Sequence, residues 1–326
     1  MIEHIKGNIY RIFVPLPRNP LKYLNSYFIR GEGRSLLIDT GFRQEACRTA
    51  LEEGLKELGA DMDRTDIFLT HVHADHSGLA PSIASEDTRI FISSTDAVFL
   101  EIADRAQRWK SFDVMYLSEG FPLEEIKQAT GHNPARDLSP EAYSKYIHME
   151  DGDMLHYGGH DLKCILTPGH TPGHMCLYDE KEKIMFLGDH VLFDITPNIV
   201  RWVTVENSLK NYLENLKKIS GYEIELPLPA HREVSGTVKE RAENIRKHHE
   251  VRLQEALNAI REYPGMTAYQ TAGHMTWDVR SDSWETFPLA QKWFAVGETL
   301  SHLDYLRLEG KIRREERDGV GIYFAV

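Results

Sequence analysis

The sequence has few cysteines and lacks any long apolar stretch. Its three cysteines, Cys47, Cys164 and Cys176, form no CxxC pair and no even-numbered framework. We therefore expect buried free thiols in a reducing compartment rather than a disulfide scaffold. No apolar run is long enough to span a bilayer, and none follows a basic segment at the N-terminus. These absences predict a cytoplasmic protein that does not cross a membrane.

Positive charge is also scarce. The chain carries 38 Lys and Arg against 50 Asp and Glu, which gives a formal net charge of -12. This surplus of negative charge argues against broad attraction to nucleic acid or anionic membranes, although it is compatible with a local basic groove. With 326 residues, 41% of them hydrophobic and 27% charged, the chain is typical of a globular protein with a substantial core. Its length favours one large and one small domain.

Short strands and helices alternate along the first part of the chain. Residues 5–14 alternate around a Gly-Asn pair and predict a strand or hairpin, and residues 45–58 have the apolar spacing of a helix. Further strands are predicted at residues 27–29, 35–38, 66–69, 89–92, 162–166 and 184–187. This succession of strands and helices indicates an α/β fold.

The densest group of ionisable side chains follows the strand predicted at 66–69. His71, His73, Asp75 and His76 lie within six residues. Side chains two apart in extended backbone point to the same side, so this loop can aim four ligands into one space and bind more than one cation. Imidazoles with a carboxylate suit zinc and also iron, manganese or nickel. The alternative, a solvated His-rich loop, fits this spacing at a strand end poorly.

The spacing His71-x-His73-x-Asp75-His76 resembles the signature of the metallo-β-lactamase-fold hydrolases. The resemblance extends over roughly residues 5–235. It implies an αββα sandwich, in which two central sheets are flanked by helices and a dinuclear metal site lies at one edge.

The same resemblance implies the remaining ligands. His170, in a Pro- and Gly-rich segment, would be a ligand with His174 in support, and Asp189 would bridge both metals. His231 would be the last ligand, although Ala230 and Arg232 replace the glycines that usually flank it. The implied set is His71, His73 and His170 on one metal, Asp75, His76 and His231 on the other, and Asp189 between them.

Roles are also predicted for three residues near this set. Asp39 ends a predicted strand and, by the resemblance, supports the site from behind without binding metal. His190 follows Asp189 and is interpreted as a non-ligand, because adjacent strand residues point to opposite faces. Arg232 either meets an anionic group of a substrate or faces solvent.

The resemblance implies a hydrolase that holds two divalent metal ions, with zinc favoured and iron or manganese also accommodated. A hydroxide between the cations would be the nucleophile, since metal binding lowers the pKa of water to about 7. Asp75 would orient it or hand a proton to the leaving group. We expect the substrate to be a small ester, thioester or lactone. The sequence shows no Ser-His-Asp or Cys-His arrangement of comparable spacing.

Other activities of the same fold remain as alternatives. An aspartate at 189 is similar to the glyoxalase II, lactonase and RNA-processing branches and unlike most β-lactam-hydrolysing enzymes. Residues 191–193 contain no tyrosine where quorum-quenching lactonases carry one, which disfavours a lactonase. A mononuclear iron oxidoreductase, similar to a persulfide dioxygenase, would leave the second metal position empty. An RNA-cleaving metallo-hydrolase and a non-catalytic binding protein complete the alternatives.

Residues from about 96 to 146 interrupt the α/β rhythm with an aromatic-rich, helical pattern. We expect a lid whose aromatic side chains form one wall of a partly apolar substrate pocket. The alternative is a helical excursion packed on the sandwich. We place this insertion within a catalytic domain at 1–236.

The remaining residues, 237–326, are predicted to form a small helical domain that resembles a winged helix. Helices are expected at 237–262 and 297–309, followed by a hairpin with an Asp-Gly turn. From residue 264 onward there are 7 Lys and Arg against 9 Asp and Glu, which is not a nucleic-acid footprint. We therefore expect a small-molecule substrate and a buttressing or homodimer role for this domain, the latter through exposed Trp277, Trp284 and Trp293.

Overall fold

A computed structural model describes residues 1–102, 104–130 and 134–326 of the chain. The N-terminal half of the chain forms the first β-sheet. Its seven described strands lie side by side in sequence order. They are β1 (Ile2–Lys6), β2 (Ile9–Pro15), β3 (Tyr23–Ile29), β4 (Ser35–Ile38), β5 (Thr65–Phe68), β6 (Ile90–Ser93) and β7 (Tyr146–Met149). The pairs from β1 to β4 are antiparallel, and those from β4 to β7 are parallel. The segments that follow β4, β5 and β6 therefore meet at one edge of the sheet.

The second sheet has five described strands in the order β12-β11-β10-β9-β8. They are β8 (Met154–Tyr157), β9 (His160–Leu166), β10 (Met175–Asp179), β11 (Ile184–Gly188) and β12 (Leu226–Pro229). Only the pair β11–β12 is parallel among them, and helix α8 (Ser208–Ile219) lies in its crossover.

Apolar side chains of both sheets meet in one buried layer that includes Ile29, Phe68 and Phe186. Helix α1 (Glu45–Glu57) packs on the outer face of the first sheet, and α8 packs on the outer face of the second. Two sheets between two helical layers form the αββα sandwich, so the predicted fold class is confirmed.

Short helices follow the parallel strands, and a helical insertion separates β6 from β7. The short elements are a 3-10 helix (Met62–Arg64), α2 (Ala74–Ser77) and α3 (Ala80–Ile83). The insertion contains α4 (Ser94–Glu101), α5 (Arg105–Ser118), α6 (Leu123–Thr130) and α7 (Pro134–Asp137). The predicted insertion is therefore helical, and its action as a lid stays a prediction.

The C-terminal region packs against that insertion. It contains α9 (Val238–Glu262), α10 (Ala268–Gly273), α11 (Leu289–Leu308), β13 (Ile312–Arg317) and β14 (Val320–Ala325). Tyr116 of α5 stacks on Trp293 of α11 with ring centroids 5.0 Å apart, and its hydroxyl donates to the Trp293 carbonyl oxygen. Glu119 accepts a 2.7 Å hydrogen bond from the Tyr323 hydroxyl of β14. The β13–β14 hairpin has the predicted turn, with Asp318 and Gly319 both at positive φ.

Two expectations for the C-terminal region are wrong. Helix α11 begins at Leu289 rather than at residue 297, because the leucine spacing used to find it covers only its second half. Trp293 is 6% exposed, and Trp277 and Trp284 are half-buried against the core. These tryptophans are therefore not the exposed apolar surface expected for a homodimer.

The cysteine prediction agrees with the structure, in which all three described cysteines are free and buried. Burial raises the pKa of the Cys176 thiol to about 12, so this group is protonated at neutral pH. Across the described ranges, no helix combines the length and apolarity that crossing a bilayer requires.

Candidate metal centre

The loop after β5 holds its histidines by hydrogen bonds to the end of the neighbouring strand. The Thr70 hydroxyl donates to Asp39 Oδ2 at 2.7 Å and lies 3.0 Å from His71 Nδ1. Because the hydroxyl proton is used by Asp39, His71 Nδ1 is the donor in the second contact, and its Nε2 carries a lone pair. His76 Nδ1 lies 2.7 Å from the same Asp39 oxygen. Asp39 thus supports the loop from behind, in agreement with its predicted role.

Two more histidines are oriented by backbone carbonyl groups. His231 Nδ1 lies 2.9 Å from the carbonyl oxygen of Tyr23, and His170 Nδ1 lies 2.9 Å from that of Asn198. A carbonyl oxygen only accepts, so each Nδ1 carries a proton and each Nε2 is the ring nitrogen left to bind a cation. The tautomer of each ring is therefore fixed by its partner.

All seven residues of the predicted set come together at this edge of the sandwich. Their candidate ligand atoms form groups whose members lie within 4.8 Å of one another. The groups are His71, His73 and His170; Asp75, His76 and His231; and His71, His76 and Asp189. We call the first the His170 half and the second the Asp75 half. Their role as metal ligands stays a prediction.

Asp189 lies between the two halves. Its Oδ2 is 3.5 Å from His170 Nε2 and 3.6 Å from His76 Nε2, and its Oδ1 is 3.4 Å from His231 Nε2. Among the described residues, His170 Nε2 and Asp189 Oδ1 have no hydrogen-bond partner although both are buried. Buried lone pairs and anionic oxygens that face one another are costly without a positive charge between them. The donor set therefore fits divalent cations.

The protonation states of several residues also fit metal binding. Burial, followed by the neighbouring His170, lowers the pKa of His73 to about 3, and burial lowers the pKa of His71 well below its usual value. Burial alone would raise the pKa of Asp75, but His76 and His231 outweigh it and bring the pKa to about 2. Neutral imidazoles and ionised carboxylates are the forms that bind metal.

His76 and His231 of the Asp75 half hold protons more tightly than His71 and His73 of the other half. Burial lowers the pKa of His76, but Asp39, Asp189 and Asp75 outweigh burial and raise it well above its usual value. The pKa of His231 is also raised, because Asp189 and Asp75 outweigh its burial. A cation that enters this half must therefore displace protons.

Asp96 is a supporting residue that no sequence motif marks, because it lies at the start of the predicted insertion. It is buried, and its carboxylate accepts hydrogen bonds from Val72 N at 2.9 Å, Thr171 Oγ1 at 2.7 Å and Gly173 N at 2.6 Å. Burial exceeds the effect of these bonds and raises its pKa to about 6. Asp96 thus links the loops that carry His71 and His170. Its position just after parallel strand β6, at the same edge as the metal loops, could have signalled this role.

Residues around Asp189 behave largely as expected. His174 Nε2 accepts a 3.0 Å hydrogen bond from Asp189 N, in agreement with a supporting role. His190 is buried outside the groups of candidate ligands found in the described ranges. The Arg232 guanidinium donates to the Pro20 carbonyl oxygen. Arg232 therefore fastens the His231 loop, a role that the sequence did not predict.

Aromatic side chains form a wall beside the His170 half. Trp202 stacks on His73 with ring centroids 6.0 Å apart and planes inclined by 26°. Phe99 and Phe112 of the insertion pack edge-on against Trp202, with centroids 5.8 and 5.4 Å from it. Trp202 also lines a cavity of about 450 Å³ between the insertion and the C-terminal region. The aromatic residues of the insertion thus lie next to the metal centre.

Comparison with known sequences identifies the family. Residues 21–231 match the sequence model of the metallo-beta-lactamase superfamily, and residues 285–326 match that of the metallo-beta-lactamase-like C-terminal domain. The chain therefore belongs to the metallo-beta-lactamase superfamily. It is a hydrolase of that superfamily, whose fold implies binding of divalent metal.

Three similar proteins illustrate the relationship. Atrochrysone carboxyl ACP thioesterase from Emericella nidulans is 24% identical over 331 residues, which span 100% of this chain and 86% of that protein. The structure of a metallo-beta-lactamase family protein from Thermus thermophilus has a TM-score of 0.80 and 30% identity, covering 98% of this chain and 99% of that one. A beta-lactamase domain protein from Burkholderia ambifaria has a TM-score of 0.84 and 25% identity, covering 100% and 94%.

Proposed function

We propose that the chain is a dinuclear metal-dependent hydrolase of small thioesters, within a wider class that includes esters and lactones. The observation that carries the proposal is the convergence of five imidazoles and two carboxylates in two groups that meet at Asp189. The Asp189 carboxylate faces His170 of one half and His76 and His231 of the other, so this one side chain would help to hold both cations. Zinc is the cation we propose, because nitrogen-rich sites with carboxylates favour it.

The chemistry divides between the cations and the chain. When bound, two divalent cations supply Lewis acids for the carbonyl oxygen and lower the pKa of water to about 7. Asp75 is ionised, because its pKa is lowered to about 2. Its carboxylate therefore accepts a hydrogen bond from the attacking water and orients it toward the carbonyl carbon.

The acidity of Asp75 favours a thioester over an ester. A carboxyl group with so low a pKa is a poor proton donor to a leaving group. A thiolate, whose conjugate acid has a pKa of about 8.5, leaves without a proton, whereas an alkoxide needs one. The similarity to a protein named as an acyl-carrier thioesterase supports the same bond class.

The aromatic wall supports a partly apolar acyl group. Trp202, Phe99 and Phe112 form a largely buried aromatic cluster beside the His170 half, and an acyl group would contact its exposed edge. Burial of such surface against a substrate contributes roughly 25 cal/mol per Å², so a longer acyl chain gains binding energy that an acetyl group does not.

A panel of initial rates on the metal-loaded chain tests the proposal, with a thioester, an aryl ester, a lactone, a phosphodiester and a β-lactam as substrates. We expect the highest kcat/KM for the thioester, and a loss of about 100-fold or more in Asp75→Asn. Metal content is measured on the same samples, and we expect two zinc ions per chain. One iron per chain with no hydrolysis would contradict the proposal in favour of an iron oxidoreductase of the same fold.

A further inference from the structure

We propose that helix α11 of the C-terminal region positions His170 and Trp202, so that this helix is part of the hydrolytic site rather than a remote buttress. The connection runs through residues 198–202, which we call the bridge segment. The inference rests on the proposed metal centre and assigns positioning residues that act on one half of it.

The bridge segment contacts His170 at both ends. The carbonyl oxygen of Asn198 accepts from His170 Nδ1 at 2.9 Å and so sets the tautomer and the direction of the ring. Trp202 Nε1 donates to the His170 carbonyl oxygen at 3.1 Å, while the Trp202 ring stacks on His73. A shift of this segment therefore moves the aromatic wall and one proposed ligand together.

Helix α11 holds the bridge segment through three residues on one face. Gly297 O accepts a hydrogen bond from Arg201 N at 3.1 Å, and the Ser301 hydroxyl donates to the Ile199 carbonyl oxygen at 2.6 Å. Asp304 accepts two hydrogen bonds of 2.5 Å from the Arg201 guanidinium. Residues 297, 301 and 304 are four and three apart, so they follow one stripe of the helix.

The bridge segment depends on these contacts because it belongs to no described helix or strand. No ladder of backbone hydrogen bonds fixes its position, so tertiary contacts must do so. Gly297 allows the close approach, since a Cβ there would lie 2.3 Å from Tyr116 Oη and 2.9 Å from Val200 Cγ1. The glycine in the middle of α11 is thus explained by packing against the bridge segment and the insertion.

Ion pairs also help to attach the bridge segment to helix α11. Arg201 is held between Asp304 and Glu119, with Glu119 Oε1 2.8 Å from its guanidinium. Glu298, also on α11, lies 3.4 Å from the Asn198 side-chain nitrogen and pairs with Arg252 of α9. Partly buried ion pairs of this kind fix geometry, because breaking one leaves a charge without its partner.

The test compares two buried hydroxyl groups on α11. Ser301→Ala removes the bond to the bridge segment. Thr299→Val removes a hydroxyl that bonds only within the helix and to Met275, at Ala295 O and Met275 Sδ. Cobalt(II) titration followed by visible absorption, thermal unfolding, and kcat and KM for a thioester are measured for both variants and the wild type.

We expect Ser301→Ala to weaken one of the two cobalt affinities by about tenfold and to lower kcat by a similar factor, as loss of outer hydrogen-bond partners typically does. Thr299→Val should retain both affinities and the wild-type cobalt spectrum even if its thermal stability falls. Asp304→Asn, which weakens the attachment of Arg201, should resemble Ser301→Ala.

Equal cobalt spectra and affinities for Ser301→Ala, Asp304→Asn and Thr299→Val would overturn the inference. A wild-type chain that binds cobalt but hydrolyses no thioester would contradict the proposed function, while the difference in cobalt affinity would still decide the inference. A wild-type chain that binds no cobalt would overturn both.

Discussion

The two halves of the candidate metal centre are supported by different parts of the molecule. In the Asp75 half, His76 is oriented by Asp39 and His231 by the Tyr23 carbonyl oxygen, both from the first sheet. In the His170 half, His170 is oriented by Asn198, whose segment is attached to α11 about a hundred residues later in the chain. One half is therefore supported within the sandwich, and the other also depends on the C-terminal region.

The sandwich and the C-terminal region therefore have different roles at the candidate metal centre. The sandwich alone brings most of the proposed ligands together, because strand ends converge at one edge. The C-terminal region adds the orientation of one imidazole and of the aromatic wall. Substitutions of supporting residues should therefore affect one half more than the other. Asp189 is the exception, because it lies between the two halves.

The largest effect is expected for Asp189→Ala, which removes that shared residue. Both halves lose a carboxylate oxygen, so metal content and kcat/KM should fall together, the latter by about 10³-fold. Metal analysis and initial rates measure both, with Asp161→Ala, an exposed carboxylate on β9, as the control. Unchanged metal content and rate would remove Asp189 from the centre.

A smaller effect, larger in the Asp75 half, is expected for Asp39→Asn, because Asp39 contacts His76 directly and His71 only through Thr70. Asp39 has φ of 60°, a conformation that asparagine tolerates, so the backbone should be preserved. The carboxylate accepts from Thr70 N at Oδ1 and from Thr70 Oγ1 and His76 Nδ1 at Oδ2, whereas an amide has a single acceptor oxygen and must lose at least one of these bonds. We expect one cobalt affinity to fall by about 10- to 100-fold.

That result is compared with Ser301→Ala in the same cobalt titration. The two variants should perturb the cobalt spectrum differently, because Asp39 directly contacts His76 of the Asp75 half, whereas Ser301 holds the segment that orients His170. If both variants produce the same spectral change, the two halves are not supported independently.

A smaller fall in kcat/KM is expected for Trp202→Phe. Phenylalanine keeps an apolar ring beside His73 but loses the hydrogen bond from Nε1 to His170 O. The loss of one such bond, about 1 kcal/mol, corresponds to roughly a fivefold fall in kcat/KM for a long-chain thioester. Rates with acetyl and long-chain thioesters measure this fall in kcat/KM. An unchanged rate with both substrates would show that the bond from Trp202 Nε1 does not help to position His170.

The smallest effect on the candidate metal centre is expected for Asp66→Asn, because Asp66 supports neither half. Burial alone would raise the pKa of Asp66, but hydrogen bonds from Arg34, Arg89 and Tyr157 outweigh it and hold the pKa well below its usual value. The ionised form is stabilised by folding, so this contribution is complete above the unfolded-state pKa of about 4 and is lost as the pH falls below it.

At pH 7 we expect Asp66→Asn to lower the free energy of unfolding by about 3 kcal/mol while metal affinity stays unchanged. The difference from wild type should narrow as the pH falls below about 4. Denaturant unfolding over a pH series measures both trends. A difference that is independent of pH would show that the Asp66 charge does not stabilise the fold.

The fold class and the proposed ligands follow from local features of the sequence. His71 to His76 lie close together in the chain, and side-chain direction in a strand and its following turn depends on local backbone geometry. The strand that precedes Asp189 is recognisable as the apolar run at 184–187, and the resemblance to the family implies the roles of Asp189 and His231. These features depend on local periodicity and spacing, which a sequence displays.

How the ligands are held depends on contacts between segments that are far apart in the chain. Asp96 joins two metal loops, and Asn198 orients His170 through a backbone carbonyl, which every residue type possesses and no motif marks. Gly297 and Trp293 acquire their roles from neighbours far away in the chain, at Val200 and Tyr116. Hydrogen bonds and packing between such distant segments follow from the position of whole elements, so no local pattern of residues could predict them.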